Sequence, residues 1–389
     1  MRILFGTNPA IGHVLPLVPL ALAARAAGHD VAVIGGSSIR PFVEGHGLRL
    51  VPVGPADLPT VMEAIRVEEL PLGPRRAYRV WTEGFADMLA RPLAQGTLDL
   101  AREWRPDLVV HEDSEQGTWI AAERLGIPHL ALQATAWRGT MARASRAHSN
   151  AVRESIGLAR DPELASWHRY GFLATRPPSL VDPDDPLPAT ATPLRQVALE
   201  ESGPASGDVP ELAAGGPPRI LATLGTVHGP RRTALLLALL DGLERVDAEV
   251  VVALGPGVDP AGLGPRRDGI HLVEFVPFAR VLPTTDLVVC HAGSGTMLAA
   301  LGAGRPMVML PLAADQPQNA EACARAGVAL VVEPGGWTAD GIRSAVELAL
   351  ATPSLAAAAR RLEAEIEAMP GPDDVLPRLE RLVADARRA

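Results

Sequence analysis

The residues with the clearest chemical potential lie in one run, at positions 288–327. It reads LVVCHAGSGTMLAALGAGRPMVMLPLAADQPQNAEACARAG. The pattern predicts a strand ending at Cys290, a turn in which Gly293 and Gly295 let the backbone approach a ligand, and a helix beginning at Thr296. Because the start of a helix combines unpaired N–H groups with the positive end of the dipole, such a turn suits a diphosphate.

Polar side chains follow both predicted strands of this run. His291 comes directly after the first strand, where a ring N–H could point at the same ligand. Asp315 and Gln316 follow the second strand, PMVML, and Asn319 lies one helical turn beyond them. A carboxylate accepts hydrogen bonds from hydroxyls and a carboxamide both donates and accepts, which suits a sugar ring. A Gly-x-Gly turn alone is weak evidence, so the prediction depends on this combination.

Several other reaction classes are excluded by what the sequence lacks. All 36 basic residues are Arg, so Schiff-base chemistry and the phosphate-binding loop that ends in Gly-Lys-Ser/Thr are both ruled out. The chain also has no H-E-x-x-H zinc motif and no G-x-S-x-G nucleophile turn. A dinucleotide fingerprint is matched only in part, so it is not excluded: its third glycine would fall on Leu298, although an acid lies about 20 residues on, at Asp315.

The composition is that of a globular protein with more than one domain. The chain has 389 residues, 47% of them hydrophobic and 21% charged, with a net charge of −9. No basic cluster predicts nucleic-acid binding, and no run of 18 apolar residues predicts a membrane span. Only Cys290 and Cys323 occur, which suits a reducing compartment, so we expect a cytoplasmic protein.

The elements that would position the chemistry form two similar halves. The first half alternates apolar runs at 2–5, 31–34, 107–111 and 129–132 with helical stretches, which predicts a parallel sheet. The pattern restarts at Arg219 with RILATL and continues through apolar runs at 249–254, 270–274, 286–290, 306–310 and 328–332. Both halves therefore read as doubly wound α/β domains.

A Gly-, Pro- and Ala-rich stretch separates the halves. We place an N-terminal domain at 1–203, a linker at 204–218 and a C-terminal domain at 219–389. Parallel sheets bind ligands at the carboxyl ends of their strands, so a ligand is expected in the cleft between the two domains. The sequence leaves open whether the last predicted helix, about 372–387, packs on its own domain or returns to the first.

With these motifs in place, the chain resembles the family 1 nucleotide-sugar-dependent glycosyltransferases of the GT-B fold. It is especially similar to the bacterial calicheamicin- and macrolide-type enzymes that decorate antibiotics and other natural products. The resemblance runs from GTNPAIGHVLPL near the start to the His-x-Gly-x-Gly-Thr and Asp-Gln-x-x-Asn-Ala signature. It implies two Rossmann-like domains facing across a cleft, with the acceptor bound by the first and the sugar nucleotide by the second.

The resemblance also implies roles for individual residues. His291, with the turn at 293–296, would contact the diphosphate, and Asp315 with Gln316 would contact sugar hydroxyls. Phe275 stands where relatives usually have a Trp that stacks on the nucleobase, so the base platform is smaller here. The implied donor-binding set is Thr226, Phe275, Val276, His291, Gly293, Ser294, Gly295, Thr296, Asp315 and Gln316.

His13 falls where the family places its general base. A neutral imidazole can take the proton of an acceptor hydroxyl near pH 7, and a carboxylate behind the ring would fix its tautomer. The run VVHEDSEQ supplies Glu112 and Asp113 for that role, and the sequence leaves the choice between them open. Consecutive positions on a strand end face opposite ways, so the acids of this run are not predicted to form a metal site. Acceptor-binding residues are expected at 57–91 and 133–148, with these aromatic candidates: Trp81, Phe85 and Trp137.

The predicted function is that of an inverting glycosyltransferase that uses no cofactor or metal. It would move a sugar from a dTDP- or UDP-sugar to a hydroxyl of a small apolar acceptor. Two alternatives stay open: a dinucleotide-dependent oxidoreductase, and a non-catalytic auxiliary protein of a glycosyltransferase. The acceptor, the sugar and the oligomeric state, for which a dimer is one option, are not determined by the sequence.

Overall fold

The structure is a computed structural model of the chain. It describes residues 1–71, 73–137, 139–197, 199, 216–225, 230–255 and 257–388. The chain forms two compact units. Unit 1 comprises Met1–Arg176, Val181–Val197 and Met369–Ala389, and unit 2 comprises Pro177–Leu180 and Ala198–Ala368.

Unit 1 is built on a seven-stranded sheet in which all paired strands are parallel. Its strands are β1 (Arg2–Gly6), β2 (Asp30–Gly35), β3 (Arg49–Pro52), β4 (Leu108–Glu112), β5 (His129–Leu132), β6 (Phe172–Ala174) and β7 (Ala191–Pro193). They lie in the order β3-β2-β1-β4-β5-β6-β7, so the order reverses between β1 and β4. The central strands are apolar and buried because helices cover both faces of a parallel sheet.

The helices of unit 1 range from 4 residues in α1 to 15 residues in α6. They are α1 (Ile11–Val14), α2 (Val18–Ala26), α3 (Arg40–Gly45), α4 (Leu58–Ala64), α5 (Pro74–Arg79), α6 (Ala90–Trp104), α7 (Gly117–Leu125), α8 (Gly139–Ala144) and α9 (Arg146–Ser155). Helix α2 ends before Gly28, whose φ of 85° is the left-handed conformation that stops a helix. A ten-residue π-helical segment, Val80–Leu89, joins α5 to α6 in one continuous helical run.

Unit 2 contains a six-stranded sheet, also parallel at every pairing. Its strands are β8 (Arg219–Thr223), β9 (Glu249–Ala253), β10 (Ile270–Val273), β11 (Leu287–Cys290), β12 (Met307–Met309) and β13 (Ala329–Val331). The order β10-β9-β8-β11-β12-β13 reverses between β8 and β11. Its helices are α10 (Pro230–Leu243), α11 (Phe278–Val281), α12 (Ser294–Gly302), α13 (Gln316–Arg325), α14 (Ala339–Leu350) and α15 (Pro353–Glu367).

The last helix, α16 (Pro372–Ala386), belongs to unit 1. Its apolar face is buried through Val375, Leu376, Leu379 and Val383. Glu380 contacts His29 at 3.2 Å, and Arg387, which follows the helix, pairs with Asp107. The chain thus begins and ends in the same unit.

The predicted fold class, two Rossmann-like parallel-sheet domains of the GT-B type, is confirmed. Every apolar run predicted as a strand forms one, within one or two residues at each end. Three short strands without a clear apolar run, β3, β6 and β7, were not predicted. Short 3₁₀ helices complete the secondary structure at Ser37–Ile39, Val67–Glu69, Pro178–Leu180, Pro260–Leu263, Leu282–Thr284 and Pro334–Gly336. Within the described ranges, no helix has both the length and the apolar character to cross a membrane.

Candidate active site

In each unit, the candidate residues lie where the strand order reverses. This is the place at which parallel α/β sheets bind ligands, because the loops after two neighbouring strands diverge there. In unit 1, His13 lies in the short helix α1 that follows β1, and Glu112 is the last residue of β4. In unit 2 the loops after β8 and β11 carry Gly225 and His291.

His13 and Glu112 are in direct contact. The Nδ1 atom of His13 lies 3.0 Å from Oε1 of Glu112, and the two side chains are 14% and 0% exposed. His13 sits in the short helix α1, and Glu112 is the last residue of β4. The sequence left two acids open as the partner of His13, and the contact is made by Glu112.

Asp113 lies next to this pair but is bound elsewhere. Its carboxylate accepts hydrogen bonds from the backbone N–H groups of Ala134 and Thr135, at 2.9 and 3.2 Å, and from the Thr135 hydroxyl. It therefore ties the loop after β4 to the loop after β5. Burial, followed by the charge of Glu112, raises the pKa of Asp113 to about 7.

A third buried acid, Glu115, caps the start of α7. It accepts from the backbone N–H and the hydroxyl of Thr118. Gly6 leaves the space for this contact, because a Cβ there would lie 2.3 Å from the Thr118 hydroxyl oxygen. Burial raises the pKa of Glu115 to about 7.

Two of the three aromatic residues predicted to bind the acceptor pack next to His13, one in direct contact with it and the other in contact with the first. The rings of Phe85 and His13 form a T-shaped contact with 5.5 Å between their centroids, and Trp81 forms a similar contact with Phe85 at 5.9 Å. Both come from the π-helical segment. Trp137 instead packs in a separate aromatic cluster, with Trp167, His168 and Phe172 around it.

In unit 2, helix α12 begins at Ser294, two residues earlier than the sequence predicted. Ser294, Gly295 and Thr296 therefore form its first turn, whose N–H groups have no carbonyl partner within the helix. Gly293 precedes the helix with an ordinary φ of −65°. Its missing side chain makes room for the neighbouring imidazole, because a Cβ there would lie 2.4 Å from Nε2 of His291. Packing of His291 is thus one reason for a glycine at this position, and the approach of a ligand to the backbone stays a prediction.

His291 is held between two glycines. A Cβ on Gly225 would lie 2.6 Å from its ring, and Gly225 also has a φ of 69°. Burial lowers the pKa of His291 to about 4, although Asp315 acts in the opposite direction. The ring is therefore neutral near pH 7, and it could meet a diphosphate as a hydrogen-bond donor.

Asp315 and Asn319 belong to one hydrogen-bond network with the first turn of α12. The Ser294 hydroxyl donates to Oδ2 of Asp315 at 2.7 Å. The Asn319 amide nitrogen lies 2.7 Å from the carbonyl oxygen of Ala292, 3.1 Å from the Ser294 hydroxyl and 3.2 Å from Asp315. Ala292 has a φ of 63°, which is unfavourable for alanine, so this bond holds a strained turn.

Gln316 uses its side-chain oxygen within its own loop. Oε1 accepts from the backbone N–H groups of Leu312 and Ala313 at 2.7 and 2.9 Å. The residue is 5% exposed. The carboxamide nitrogen is then the atom through which Gln316 would donate to a sugar hydroxyl.

The remaining predicted donor residues differ in exposure. Phe275 is 43% exposed, whereas Val276 is buried at 2%. An exposed ring at the end of β10 can serve as a stacking platform. Thr226 lies outside the described residues.

Sequence reasoning missed Arg232, in the first turns of α10. The residue is 5% exposed, and its Nη2 atom donates to the carbonyl oxygens of Gly225, at 3.0 Å, and Leu254. Its charge contributes to lowering the pKa of His291. The signal was available in the pair Arg231-Arg232 after the glycine turn, but a basic pair at a helix start usually faces solvent.

In the part of the chain that the structure describes, no group of three or more His, Cys, Asp or Glu side chains could hold a metal ion. Cys290 is buried beside His291, and burial raises the pKa of its thiol to about 12. It is a packing residue.

Comparison with known proteins connects this geometry to a family. Residues 22–169 and 237–382 match the sequence models of the N-terminal and C-terminal domains of erythromycin biosynthesis protein CIII-like proteins. The chain is 33% identical to elloramycin glycosyltransferase ElmGT of Streptomyces olivaceus, with 97% of each chain covered.

Solved structures agree with the sequence comparison. The glycosyltransferase SnogD from Streptomyces nogalater is similar with a TM-score of 0.78 and 31% identity, covering 98% of this chain and 99% of that one. The glycosyltransferase SsfS6 of Streptomyces sp. SF2575, solved with thymidine diphosphate, is similar with a TM-score of 0.78 and 28% identity, with 98% and 99% covered. The chain therefore belongs to the erythromycin biosynthesis protein CIII-like family of GT-B glycosyltransferases, as its sequence motifs predicted.

Proposed function

We propose that this glycosyltransferase moves a sugar from a dTDP- or UDP-sugar to a hydroxyl of a small apolar natural product, with inversion and without a metal. The contact between His13 and Glu112 carries the proposal. A histidine backed by a carboxylate at the carboxyl edge of a parallel sheet is suited to general-base catalysis.

The proposed chemistry starts at the His13 ring. When Nδ1–H donates to Glu112, Nε2 carries the lone pair and can accept the proton of the acceptor hydroxyl. The acceptor oxygen then attacks the anomeric carbon from the face opposite the diphosphate. The bond from that carbon to the diphosphate oxygen breaks, and its electron pair leaves with the nucleotide. Glu112 stabilises the imidazolium that forms.

The donor would be bound by unit 2. The first turn of α12 offers N–H groups and a positive dipole end to the diphosphate, and neutral His291 adds a hydrogen bond. Asp315 and the Gln316 carboxamide nitrogen would meet sugar hydroxyls, while Phe275 would stack on the base. The solved SsfS6 complex with thymidine diphosphate favours a dTDP-sugar.

The acceptor would be bound by unit 1, near the aromatic chain of Trp81 and Phe85 that reaches His13. These side chains present an apolar surface beside the proposed base, which suits an aromatic or macrocyclic acceptor. The similar protein named elloramycin glycosyltransferase and a relative named tylactone mycaminosyltransferase are consistent with such acceptors.

The His13→Ala variant tests the proposal. Loss of a positioned base typically lowers the rate by about 10² to 10⁴. We expect that loss in dTDP release, measured with dTDP-sugars and a panel of hydroxylated polyketide acceptors. The dissociation constant of dTDP, measured by calorimetry, should stay near the wild-type value because the donor residues lie in unit 2.

His46→Ala provides the control, since the His46 ring hydrogen-bonds to the Phe42 carbonyl and packs against the Phe42 ring. Turnover of this variant should match the wild type. Wild-type turnover in His13→Ala would contradict the assignment of the base, and equal loss in both variants would point to a general loss of structure.

A further inference from the structure

Ser114 has a buried hydroxyl that contacts the Glu112 carboxylate, the His13 ring and the Asn8 carboxamide. Its Oγ lies 2.9 and 2.8 Å from the two carboxylate oxygens of Glu112 and 3.2 Å from Nδ1 of His13. The Asn8 amide nitrogen donates to the same oxygen at 3.0 Å. Ser114 and Asn8 are 0% exposed, so these contacts form without competition from water.

The positions of these two residues follow from the sheet. Asn8 follows β1 and Ser114 follows β4, the two strands between which the order reverses. The backbone N–H of Ser114 also donates to Oε2 of Glu112 at 2.6 Å, and that of Asn8 approaches Oε1 at 3.4 Å. The carboxylate is therefore held from both strand ends.

The hydrogen atoms can be assigned by counting donors. A serine hydroxyl has one proton and two lone pairs. Because the carboxylate is a charged acceptor at short distance, the hydroxyl proton goes to Glu112. The lone pairs of Ser114 are then left for the Asn8 amide and for Nδ1–H of His13. Asn8 therefore donates to Ser114, and Ser114 donates to the Glu112 carboxylate.

We propose that Ser114, oriented by Asn8, is a positioning residue that holds the Glu112 carboxylate against His13 and sets the proton affinity of the imidazole. The proposal rests on the proposed role of His13 as base. A carboxylate that shares its negative charge with a hydroxyl donor holds the imidazolium proton less tightly. Ser114 thus lowers the proton affinity of His13, which favours the unprotonated ring that a general base requires.

The test is the titration midpoint of His13 in Ser114→Ala, measured by NMR of the ring nitrogens without substrate. The His13 signal is the one that disappears in His13→Ala. Loss of one hydrogen bond to the carboxylate should raise the midpoint by about 0.5 to 1 pH unit. The acid limb of the pH profile of kcat/KM should move in the same direction, and kcat at pH 7 should fall severalfold while the donor KM stays within about twofold.

Three further variants make the result specific. Ser114→Thr keeps the hydroxyl and should restore the wild-type midpoint. Asn8→Ala leaves the hydroxyl but frees its orientation, so it should give a smaller shift in the same direction, and it replaces Ser114→Ala if that variant does not fold. Ser145→Ala removes another buried hydroxyl, one bonded to the Ala142 carbonyl at 2.8 Å, and should leave the midpoint unchanged.

A midpoint that stays or falls in both Ser114→Ala and Asn8→Ala would overturn this proposal. That outcome is distinct from failure of the proposed function, which is decided by turnover in His13→Ala. The NMR titration does not require turnover. The proposed role of Ser114 can therefore fail while the proposed function stands, and the reverse also holds.

Discussion

Arg232 is a buried cation at the carboxyl edge of the unit 2 sheet. Among the described residues, it donates to backbone carbonyl oxygens at the ends of β8 and β9, and its Gly225 partner lies against His291. A buried guanidinium bound by carbonyl groups keeps its full charge. We infer that this charge favours the diphosphate of the donor.

Arg232→Met should therefore raise the dissociation constant of dTDP by about tenfold, because the variant lacks the buried positive charge that attracts the diphosphate. Thymidine, which has no phosphate, should bind within about twofold of the wild type. Calorimetric titration of both ligands gives the comparison. Equal weakening of dTDP and thymidine would argue against a phosphate contact.

Arg267→Met is the matched control for this substitution. Arg267 also donates to backbone carbonyls, at Val246, Ala248 and Glu244, but it precedes β10 rather than following a strand. The Arg267→Met substitution removes similar hydrogen bonds to backbone carbonyls, but it removes no charge from the carboxyl edge of the unit 2 sheet. Unchanged dTDP affinity is the expected result.

At the residue scale, the sequence identified which residue types could act in catalysis, but it could not determine which way each side chain points. His13 and Glu112 were both predicted, yet Glu112 and Asp113 are adjacent acids that face different loops. Only the path of the strand end decides which one meets the imidazole. Ser114 was missed because its contact with His13 joins residues more than 100 positions apart. Arg232 was missed because its role depends on the glycine turn at Gly225.

At the element scale, α12 and α13 are joined by side-chain hydrogen bonds, and Asn319 makes two of them. Asn319 is fully buried on α13 and donates to Ala292 and Ser294, which lie before and at the start of α12. It therefore fixes the turn that would receive the diphosphate.

Asn319→Ala should lower the free energy of unfolding by about 1 to 3 kcal/mol, because the carbonyl of buried Ala292 loses a hydrogen-bond donor. Urea unfolding monitored by circular dichroism measures this loss. The affinity for dTDP should also fall, since the turn is no longer held. Gln318→Ala, on the same helix but half-buried, should change neither quantity by a comparable amount.

The helical run from α5 to α6 shows where element prediction stopped. The sequence indicated acceptor-binding loops and helices over 57–91, and the structure contains there a π-helical segment that carries Trp81 and Phe85. In a π-helix the hydrogen-bonded residues are five positions apart instead of four, so the side chains are rotated relative to those of an α-helix. Periodicity analysis assumes 3.6 residues per turn and cannot predict which side chains such a segment aims at His13.

At the scale of a whole unit, buried histidines make stability depend on pH. His168 stacks on Trp167 at 4.8 Å between ring centroids, and burial lowers its pKa to about 3. The unfolded chain binds a proton near pH 6.5, whereas the native state does not. Its contribution to stability is therefore complete above pH 6.5 and is lost as the pH falls toward 3.

His168→Phe keeps an aromatic ring and removes this titration. Between pH 6.5 and 4, wild-type stability should fall more steeply than that of the variant, by up to about 1 kcal/mol per pH unit. Urea unfolding at pH 7, 6 and 5 provides the slopes. Parallel slopes would show that His168 does not titrate on unfolding.

Two buried carboxyls act in the opposite sense. The raised pKa values of Asp113 and Glu115, both about 7, mean that the native state retains protons that the unfolded chain releases above about pH 4. Their contribution favours folding at low pH and is lost as the pH rises toward 7. The histidines with lowered pKa values are His111, His129, His168 and His291. Because they outnumber the carboxyls, mild acid should destabilise the protein overall.

The return of α16 to unit 1 limits how this enzyme can be recombined with its relatives. Helix α16 is held by His29 and Asp107, and the backbone N–H of Arg195 donates to the Pro370 carbonyl at 2.8 Å. A chimaera spliced once near residue 210 would place a relative's terminal helix on the native unit 1. A double splice that keeps 369–388 with the first 197 residues would preserve the native seam, and swapped donor specificity should be sought in that format.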